Sequence, residues 1–487
     1  MSQLSEIALS NFSSNPDRIF FSSIDRSFTG RECLELIQSI QKTFGFSKKK
    51  SIGLYSENNL FWPLIYIAAD LTVSNIYVFH SNLQKQHVEK LKNQHDIEFV
   101  YHGQDLTLDP QEETSLGNLE TLTKKRNSSR QDILFTSGTT GLPKGVRIKE
   151  ESFIHVARNL VNELDQNASD SELLSMPFGH SFGLVRLRSV ILSGCSAFIS
   201  NGLKDFPAIY KYSQTYPFTG LSFVPAALEV VKGLLRRKAK EFGKSIKYIE
   251  LGSSFLSEPT DEWLKENFPN AIIIHHYGMT EASRSFLRPR GLNDTYNLPN
   301  NWIGIALDGC EYRIGSSNEV NQANGIKGEL FLRGKNLFSG YLNQIDFEGS
   351  SDWFATRDIC EEKNGHLFLL GRTDNQFNIG GEKIQAEDLE SRIISLKEIH
   401  DAVAFQMPDK ILGSKLACLI QLADNNIVDE SLYREISLKT KDLEGFMKPK
   451  IYFTSQELLK TNNGKKIRNE DVLNKYLLED YVSELTK

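Results

Sequence analysis

The chain has 487 residues, with 56 Lys and Arg against 62 Asp and Glu, a net charge of −6. That is about three times a typical domain of ~150 residues, which excludes a single compact core. A hydrophobic fraction of 40% with 24% charged residues excludes a disordered chain, and the lack of a basic surplus gives no sign of a non-specific nucleic-acid binder. The N-terminal MSQLSEIALSNF has no basic stretch leading into an apolar run, so it does not read as a signal peptide. The most apolar stretch, Leu60 to Val78, is broken by Pro63, Asp70 and Asn75 and is too polar to span a bilayer. Cys33, Cys195, Cys310, Cys360 and Cys418 form no CxxC pair and read as separate thiols in a reducing cytosol, so a cytoplasmic protein is expected.

In chain order, residues 19–28 read as a hairpin of short strands and Cys33–Phe44 as a helix, with Leu34, Ile37, Ile40 and Phe44 at helical spacing. A strand at Ser51–Tyr55, a helix from Asn59 to about Leu71 and a strand at Ser74–Phe79 follow, the alternation of βαβ units on a parallel sheet. Residues 106–130 are polar and charge-mixed, a surface connection. After Arg130 the pattern resumes with DILF as a strand, a Gly/Thr-rich loop, VRI as a strand and a helix from Glu151. Beyond Asp308, EYRIG, GELFLRG and GHLFLLG give short strands with glycine turns, a barrel or meander texture. After Arg372 helices and strands mix to the end.

The densest chemistry lies in Thr136-Ser137-Gly138-Thr139-Thr140-Gly141-Leu142-Pro143-Lys144-Gly145. Hydroxyls, glycines and a lysine directly after a strand offer many donors to a phosphate group. The spacing is not that of a Walker A loop, and a plain surface turn is the competing interpretation. This segment resembles the signature loop of the adenylate-forming ligases, the superfamily of acyl-CoA synthetases, firefly luciferase and nonribosomal peptide adenylation domains. Further motifs of that superfamily follow in the same order, so the resemblance spans roughly residues 20–475.

Tyr277-Gly278-Met279-Thr280-Glu281 is similar to the family's YGxTE motif, although alone it would read as a strand end with a polar turn. The resemblance implies adenine stacking for Tyr277, an α-phosphate contact for Thr280 and Mg²⁺ ligation for Glu281, with Thr136 a second metal-facing oxygen. Gly252 and Ser253 end another strand, at the position that borders adenine and the acyl group in the family. Asp358 and Arg372 match the ribose-binding pair. One departure stands out, because the family's T-G-D reads Thr356-Arg357-Asp358 here. Asp374 matches the hinge, and Gly380 and Gly381 match the loop lining the tunnel for a thiol-bearing arm, followed by Ala386 where relatives often have proline. Lys460 to Arg468 would be a solvated charge run in isolation. Its likeness to T-x-x-G-K-x-x-R assigns the catalytic lysine to Lys465, not Lys466, because the family's lysine follows the glycine directly.

The resemblance implies an α/β multidomain fold: a large N-terminal domain of stacked βα subdomains plus a β-barrel-like subdomain (1–373), and a small mobile α+β C-terminal domain (374–487). The implied reaction uses ATP and Mg²⁺ to convert a carboxylic acid to an acyl-adenylate and then to a thioester, releasing pyrophosphate and AMP. Amino-acid-activating relatives place an aspartate where this chain has Gly179, which implies a fatty, hydroxy or aryl acid without an α-amino group. His180 is implied near the substrate carboxylate, where a structural histidine is the alternative, and Phe223 is a wall residue of the acyl site. The acceptor is coenzyme A or the phosphopantetheine of a carrier protein. Since the chain ends shortly after Arg468, the carrier is expected to be a separate protein. A luciferase-like oxygenase would share these motifs, and Arg357 keeps a non-catalytic nucleotide-binding regulator open. No nucleic-acid partner and no integral membrane segment are expected.

Overall fold

The computed structural model describes residues 4–103, 130–136, 143–253, 256–315, 326–342, 351–373, 376–379, 382–409, 413–423, 430–440, 449, 451–455, 458 and 466–468. They fall into two compact units, Met1–Tyr312 with Leu332–Phe354, and Arg313–Phe331 with Ala355–Lys487.

The first unit holds two sheets. In one, the strands run in space Val100–Tyr101, Ser51–Tyr55, Asn75–Phe79, Gln131–Thr136, Lys144–Lys149, all pairs parallel except the last. The helix Gly30–Phe44 starts with Thr29 and Glu32 capping each other's backbone N–H groups and stops at Gly45, whose φ of 59° suits a residue without Cβ. The apolar stretch from Leu60 divides into the helix Trp62–Asp70, with Pro63 in its first turn, and the strand Asn75–Phe79. No helix among the described residues is long and apolar enough to cross a membrane. All five cysteines are buried and free.

The second sheet of this unit has nine strands, in the order Ile305–Ala306, Ala282–Arg290, Ile272–Met279, Tyr248–Gly252, Gly220–Phe223, Ser171–Leu174, Ser196–Ile199, Ile19–Ser22, Ser27–Thr29. The strands from Ile272–Met279 through to Ile19–Ser22 pair in parallel, and antiparallel pairs close both edges. After Ser171–Leu174 the chain adds Ser196–Ile199 on one side and then crosses to Gly220–Phe223 on the other. In open α/β sheets ligands bind beyond the carboxyl ends of the strands at such a reversal. Phe223 lies with Leu173, Leu228, Ile249 and Leu251 in a buried core cluster beneath this sheet.

The β-rich texture beyond Asp308 becomes an open four-stranded sheet in chain order, Cys310–Gly315, Lys327–Gly334, Phe354–Lys363, His366–Arg372. A hairpin of Gln376–Ile379 and Glu382–Gln385 follows, then a three-stranded sheet of Ile399–Asp409, Gly413–Leu422 and Ile451–Ser455. Ala386 begins the helix Ala386–Ile394, a first-turn position at which proline is also tolerated. Its Ala386, Leu389 and Ile393 pack with Ile420 and Ile436 in one core.

Candidate active site

Gln131–Thr136 and Lys144–Lys149 form a hairpin in which Thr136 is paired with Lys144, so these two residues flank the Ser/Thr/Gly loop. Ser137, Gly138, Thr139, Thr140 and Gly141 lie outside the described residues, as do Asp374, Gly380, Gly381 and Lys465. The Thr136 hydroxyl is 3.5 Å from the Lys144 carbonyl oxygen. The segment 339–342 is stitched to this hairpin: the Arg147 N–H donates to Gly340 O at 2.9 Å and the Leu342 N–H to Gly145 O at 2.9 Å. That places Tyr341, whose hydroxyl donates to Glu281 Oε1 at 2.9 Å while the Lys144 ammonium sits 5.8 Å from its ring centre. Lys144, Tyr341 and Glu281 are thereby brought together by backbone pairing between distant segments.

Glu281 and Thr280 form the two-residue turn of a second hairpin, with Met279 opposite Ala282. The register slips between Tyr277 and Met279, and a Cβ on the intervening Gly278 would stand 2.5 Å from the Arg284 nitrogen. The motif's glycine is therefore a requirement of close backbone approach. Tyr277 is half-buried on this strand, its ring packed edge-on to Phe286.

Beside this hairpin, Gly252 pairs with His276. A Cβ on Gly252 would come within 2.1 Å of the His276 ring, so the imidazole occupies the space that a side chain would need. Ser253 turns the chain with φ 79°. Beneath them lies a charged network buried in the sheet. Glu250 Oε1 is 2.7 Å from His276 Nδ1 and 3.0 Å from Arg284 Nε, and Glu250 Oε2 is 3.4 Å from Arg186 Nη1. Arg186 also donates from Nε to Glu172 Oε1 at 2.8 Å. Arg284 donates to the carbonyl oxygens of Ser181 at 3.1 Å and Phe182 at 3.0 Å, tying down the start of the helix Ser181–Ser193. Burial pushes the Glu250 carboxyl up, but Arg284, His276 and Arg186 outweigh it and hold the group well below the usual carboxylate range. Burial, then Arg284, lowers the pKa of His276 against the opposing pull of Glu250.

His180 caps the start of that helix through its carbonyl and packs edge-on against His80 at 4.9 Å. A Cβ on Gly179 would lie 2.6 Å from Phe79 O, so backbone crowding accounts for the glycine there. Phe223 is 1% exposed, a core position.

In the second unit Asp358 and Arg372 face each other across a strand pair, with Arg372 Nη1 2.9 Å from Asp358 Oδ1. The Asp358 N–H donates to Thr356 Oγ1 at 3.0 Å, and that hydroxyl donates to Leu330 O at 2.8 Å. Arg357, the departure from T-G-D, has φ 63°, the left-handed conformation that favours glycine, and its N–H donates to Glu329 Oε1 at 2.9 Å. Lys466 is held 3.2 Å from Glu390 and 2.7 Å from Asp401, and Arg468 donates to Glu390 from both Nε and Nη2. Burial lowers the pKa of Lys466, but Glu390 and Asp401 overcome it and raise the value.

Sequence reasoning passed over Tyr341, Glu250, His276, Arg284 and Arg186. Nothing local distinguishes Tyr341. Glu250, His276 and Arg186 carried a usable signal, charged or titratable groups set inside the apolar runs YIELG, IIIHHYG and SFGLVRLRSVIL.

A lysine flanking the Ser/Thr/Gly loop and a strand–turn carboxylate in the first unit, and an Asp–Arg strand pair in the second, are the features of an adenylate-forming enzyme. The chain belongs to the AMP-binding enzyme family, whose model matches residues 10–342. It is 25% identical over 95% of its length to a putative long chain fatty acid–CoA ligase, VraA, of Staphylococcus epidermidis, covering 96% of that protein. It is 24% identical over 86% of its length to a 2-succinylbenzoate–CoA ligase of Haemophilus influenzae, covering 87% of that protein. Among solved structures, it matches the Bacillus subtilis o-succinylbenzoate CoA synthetase, MenE, in complex with an acyl-adenylate, with TM-score 0.77, 19% identity and 98% of each chain covered. It also matches the anthranilate CoA ligase AuaEII, bound to anthranoyl-AMP, with TM-score 0.78, 18% identity, and coverage of 96% of this chain and 95% of that one.

Proposed function

We propose that the protein is an AMP-forming acid–CoA ligase acting on a carboxylic acid without an α-amino group. The observation that carries this reading is the convergence of Lys144, Tyr341 and Glu281 at the ends of the Ser/Thr/Gly loop and the YGMTE turn. CoA ligases among the similar proteins support coenzyme A as the acceptor.

In the first step a carboxylate oxygen of the acid attacks the α-phosphorus of ATP, and the α–β anhydride bond breaks with release of pyrophosphate. The loop from Thr136 to Gly141 and Lys144 hold the phosphates, Thr280 contacts the α-phosphate, Tyr277 stacks on adenine beside Gly252 and Ser253, and Asp358 with Arg372 holds the ribose. Glu281 and Thr136 offer oxygen atoms only, a donor set that fits Mg²⁺, and the Tyr341 hydroxyl fixes the orientation of the carboxylate. The ion supplies charge neutralisation on the polyphosphate. Lys465 neutralises charge building between carboxylate and α-phosphate. Lys466, committed to Glu390 and Asp401, is not available for that role. In the second step the domain from 374 turns about Asp374, Lys465 withdraws, and the Gly380–Gly381 loop admits the thiol. The thiolate attacks the acyl carbonyl, and AMP leaves.

The test is acid-dependent pyrophosphate release from ATP across a panel of acids, repeated with Lys465→Ala. Release that falls by about 10²-fold or more in the variant supports the reading. No release with any acid would favour a nucleotide-binding regulator instead. Product analysis with coenzyme A against a holo carrier protein then decides the acceptor.

A further inference from the structure

We propose that Glu250 and His276 select the acid: His276 Nε2 accepts a hydrogen bond from a hydroxyl or N–H group in the body of the substrate, so the enzyme takes a hydroxy- or amino-substituted acid in preference to an unsubstituted hydrocarbon chain. The proposal deepens the ligase reading and rests on it for the placement of the acid.

The geometry fixes which nitrogen is available. His276 Nδ1 lies 2.7 Å from Glu250 Oε1, a close charge contact outside hydrogen-bond alignment, and the carboxylate draws the one proton of a neutral imidazole to that nitrogen, which leaves a lone pair at Nε2. A second proton is disfavoured because the ring is buried and Arg284 stands on the same carboxylate. Without that proton the network balances, with Arg186 and Arg284 against Glu172 and Glu250. Among the described residues no hydrogen bond reaches Nε2.

The place is equally constrained. The ring lies over the bare backbone of Gly252, where a Cβ would be 2.2 Å from Nε2, and it packs perpendicular to Phe182, with centroids 4.7 Å apart at 86°. Ser253 turns away directly after Gly252, and Tyr277 follows His276, so Nε2 is placed at the carboxyl ends of two parallel strands beside the nucleotide residues. A nearly buried acceptor with no donor among the described residues is satisfied by a ligand that brings one. A substrate that lacks the donor leaves it unpaired, which is how a site built to hydrogen-bond a hydroxyl rejects the analogue without it. Glu250, Arg284 and Arg186 act as positioning residues, since they hold the imidazole's tautomer and orientation from behind.

The experiment uses matched acids: ortho-, meta- and para-hydroxybenzoate against the corresponding methoxybenzoates, and beta-hydroxyoctanoate against octanoate. Binding is followed by calorimetry with AMP present, and pyrophosphate release is followed in parallel. The expected result is at least one donor-bearing acid favoured over its partner by on the order of 100-fold, a ratio that His276→Phe reduces to less than about tenfold. His276→Gln, whose amide oxygen can accept, restores part of the preference. Retained AMP binding shows that a variant is folded. If His276→Phe fails that check, His276→Gln and the wild-type ratios decide. Ratios within about threefold for every pair, a preference untouched by His276→Phe, or no binding of either kind of acid would overturn the proposal. His276-dependent binding without pyrophosphate release would sink the ligase reading and leave this one standing; equal release from both members of every pair would do the reverse.

Discussion

Two buried charge networks cross the first unit, and they are built from the same materials. One joins Asp70, Arg130, Asp132, Arg188 and Tyr66, with Arg130 3.1 Å from Asp70 and 2.8 Å from Asp132. In it Tyr66 donates to Asp132 at 2.8 Å, and Arg188 is bonded to both of those residues. Burial, opposed by Arg188, drives the Tyr66 hydroxyl upward, so it stays a donor. The other joins Glu172, Arg186, Glu250, Arg284 and His276. Each holds two arginines and two carboxylates. The first ties the helix Leu4–Ser14, through the Ser5 N–H on Asp70, to the five-stranded sheet. The second ends in an imidazole whose Nε2 has no hydrogen-bond partner among the described residues, at the carboxyl ends of the strands. The two clusters therefore differ in where they end, not in the number of charges they contain.

Substitutions should separate the two. The largest effect is expected from Asp132→Ala, which leaves Arg130 with Asp70 alone and Arg188 with only the Tyr66 hydroxyl. Breaking a buried pair costs about 3–5 kcal/mol, so urea unfolding should show a loss near the top of that range. The preference among acids should be unchanged in the folded fraction. Glu250→Gln keeps a carbonyl oxygen for Nδ1–H, so a smaller loss of about 2–4 kcal/mol is expected, here accompanied by weakened acid preference. A Glu250→Gln protein that is destabilised yet discriminates acids like the wild type would show that both networks are purely structural. Tyr341→Phe acts outside both networks. It removes one hydrogen bond to Glu281 worth about 1 kcal/mol, so kcat/KM for pyrophosphate release should fall by roughly fivefold, with stability nearly unchanged. A fall above about a hundredfold would mean that Tyr341 contacts the reacting groups directly.

Much of this was legible in the sequence because the signals were local. Periodicity gave the strands Ser51–Tyr55 and Asn75–Phe79 and the helix Gly30–Phe44 within a few residues, since each element buries a face whose pattern is written in consecutive positions. The Thr136–Lys144 loop and Tyr277–Glu281 were legible as motifs for the same reason. What stayed hidden depended on pairing between segments far apart. Tyr341 reaches Glu281 only because residues 339–342 pair with the strand Lys144–Lys149. Glu250, His276 and Arg284 come from three neighbouring strands, and Arg186 from a helix nearly a hundred residues earlier than Arg284. The glycine expected before Asp358 has a backbone explanation that sequence alone could not supply. Arg357 adopts the left-handed conformation regardless, so the replacement preserves the backbone conformation within the strand Phe354–Lys363.

The smallest effect is the most specific, because only the second network contains an imidazole. The pKa of His276 is lower in the native protein than in the unfolded chain, where it is about 6.5. The unfolded chain therefore binds a proton that the native state does not. Stability from this group is complete above about pH 6.5 and declines as the pH falls. The groups facing the ring are Glu250 from the neighbouring strand, Arg284 from the other side and, through Glu250, Arg186 from the helix. Glu250 remains ionised throughout this range, so it does not confuse the sign. His80 is also lowered by burial and contributes its own slope in the same direction. The informative quantity is accordingly a difference. Between about pH 7.5 and 5.5 the melting temperature of the wild type should fall more steeply than that of His276→Gln. Asp132→Ala, in which His276 is untouched, should keep the wild-type slope from a lower starting point. A wild-type slope shallower than that of His276→Gln would mean that His276 carries a second proton in the native state, and the lone pair assigned to Nε2 would not exist.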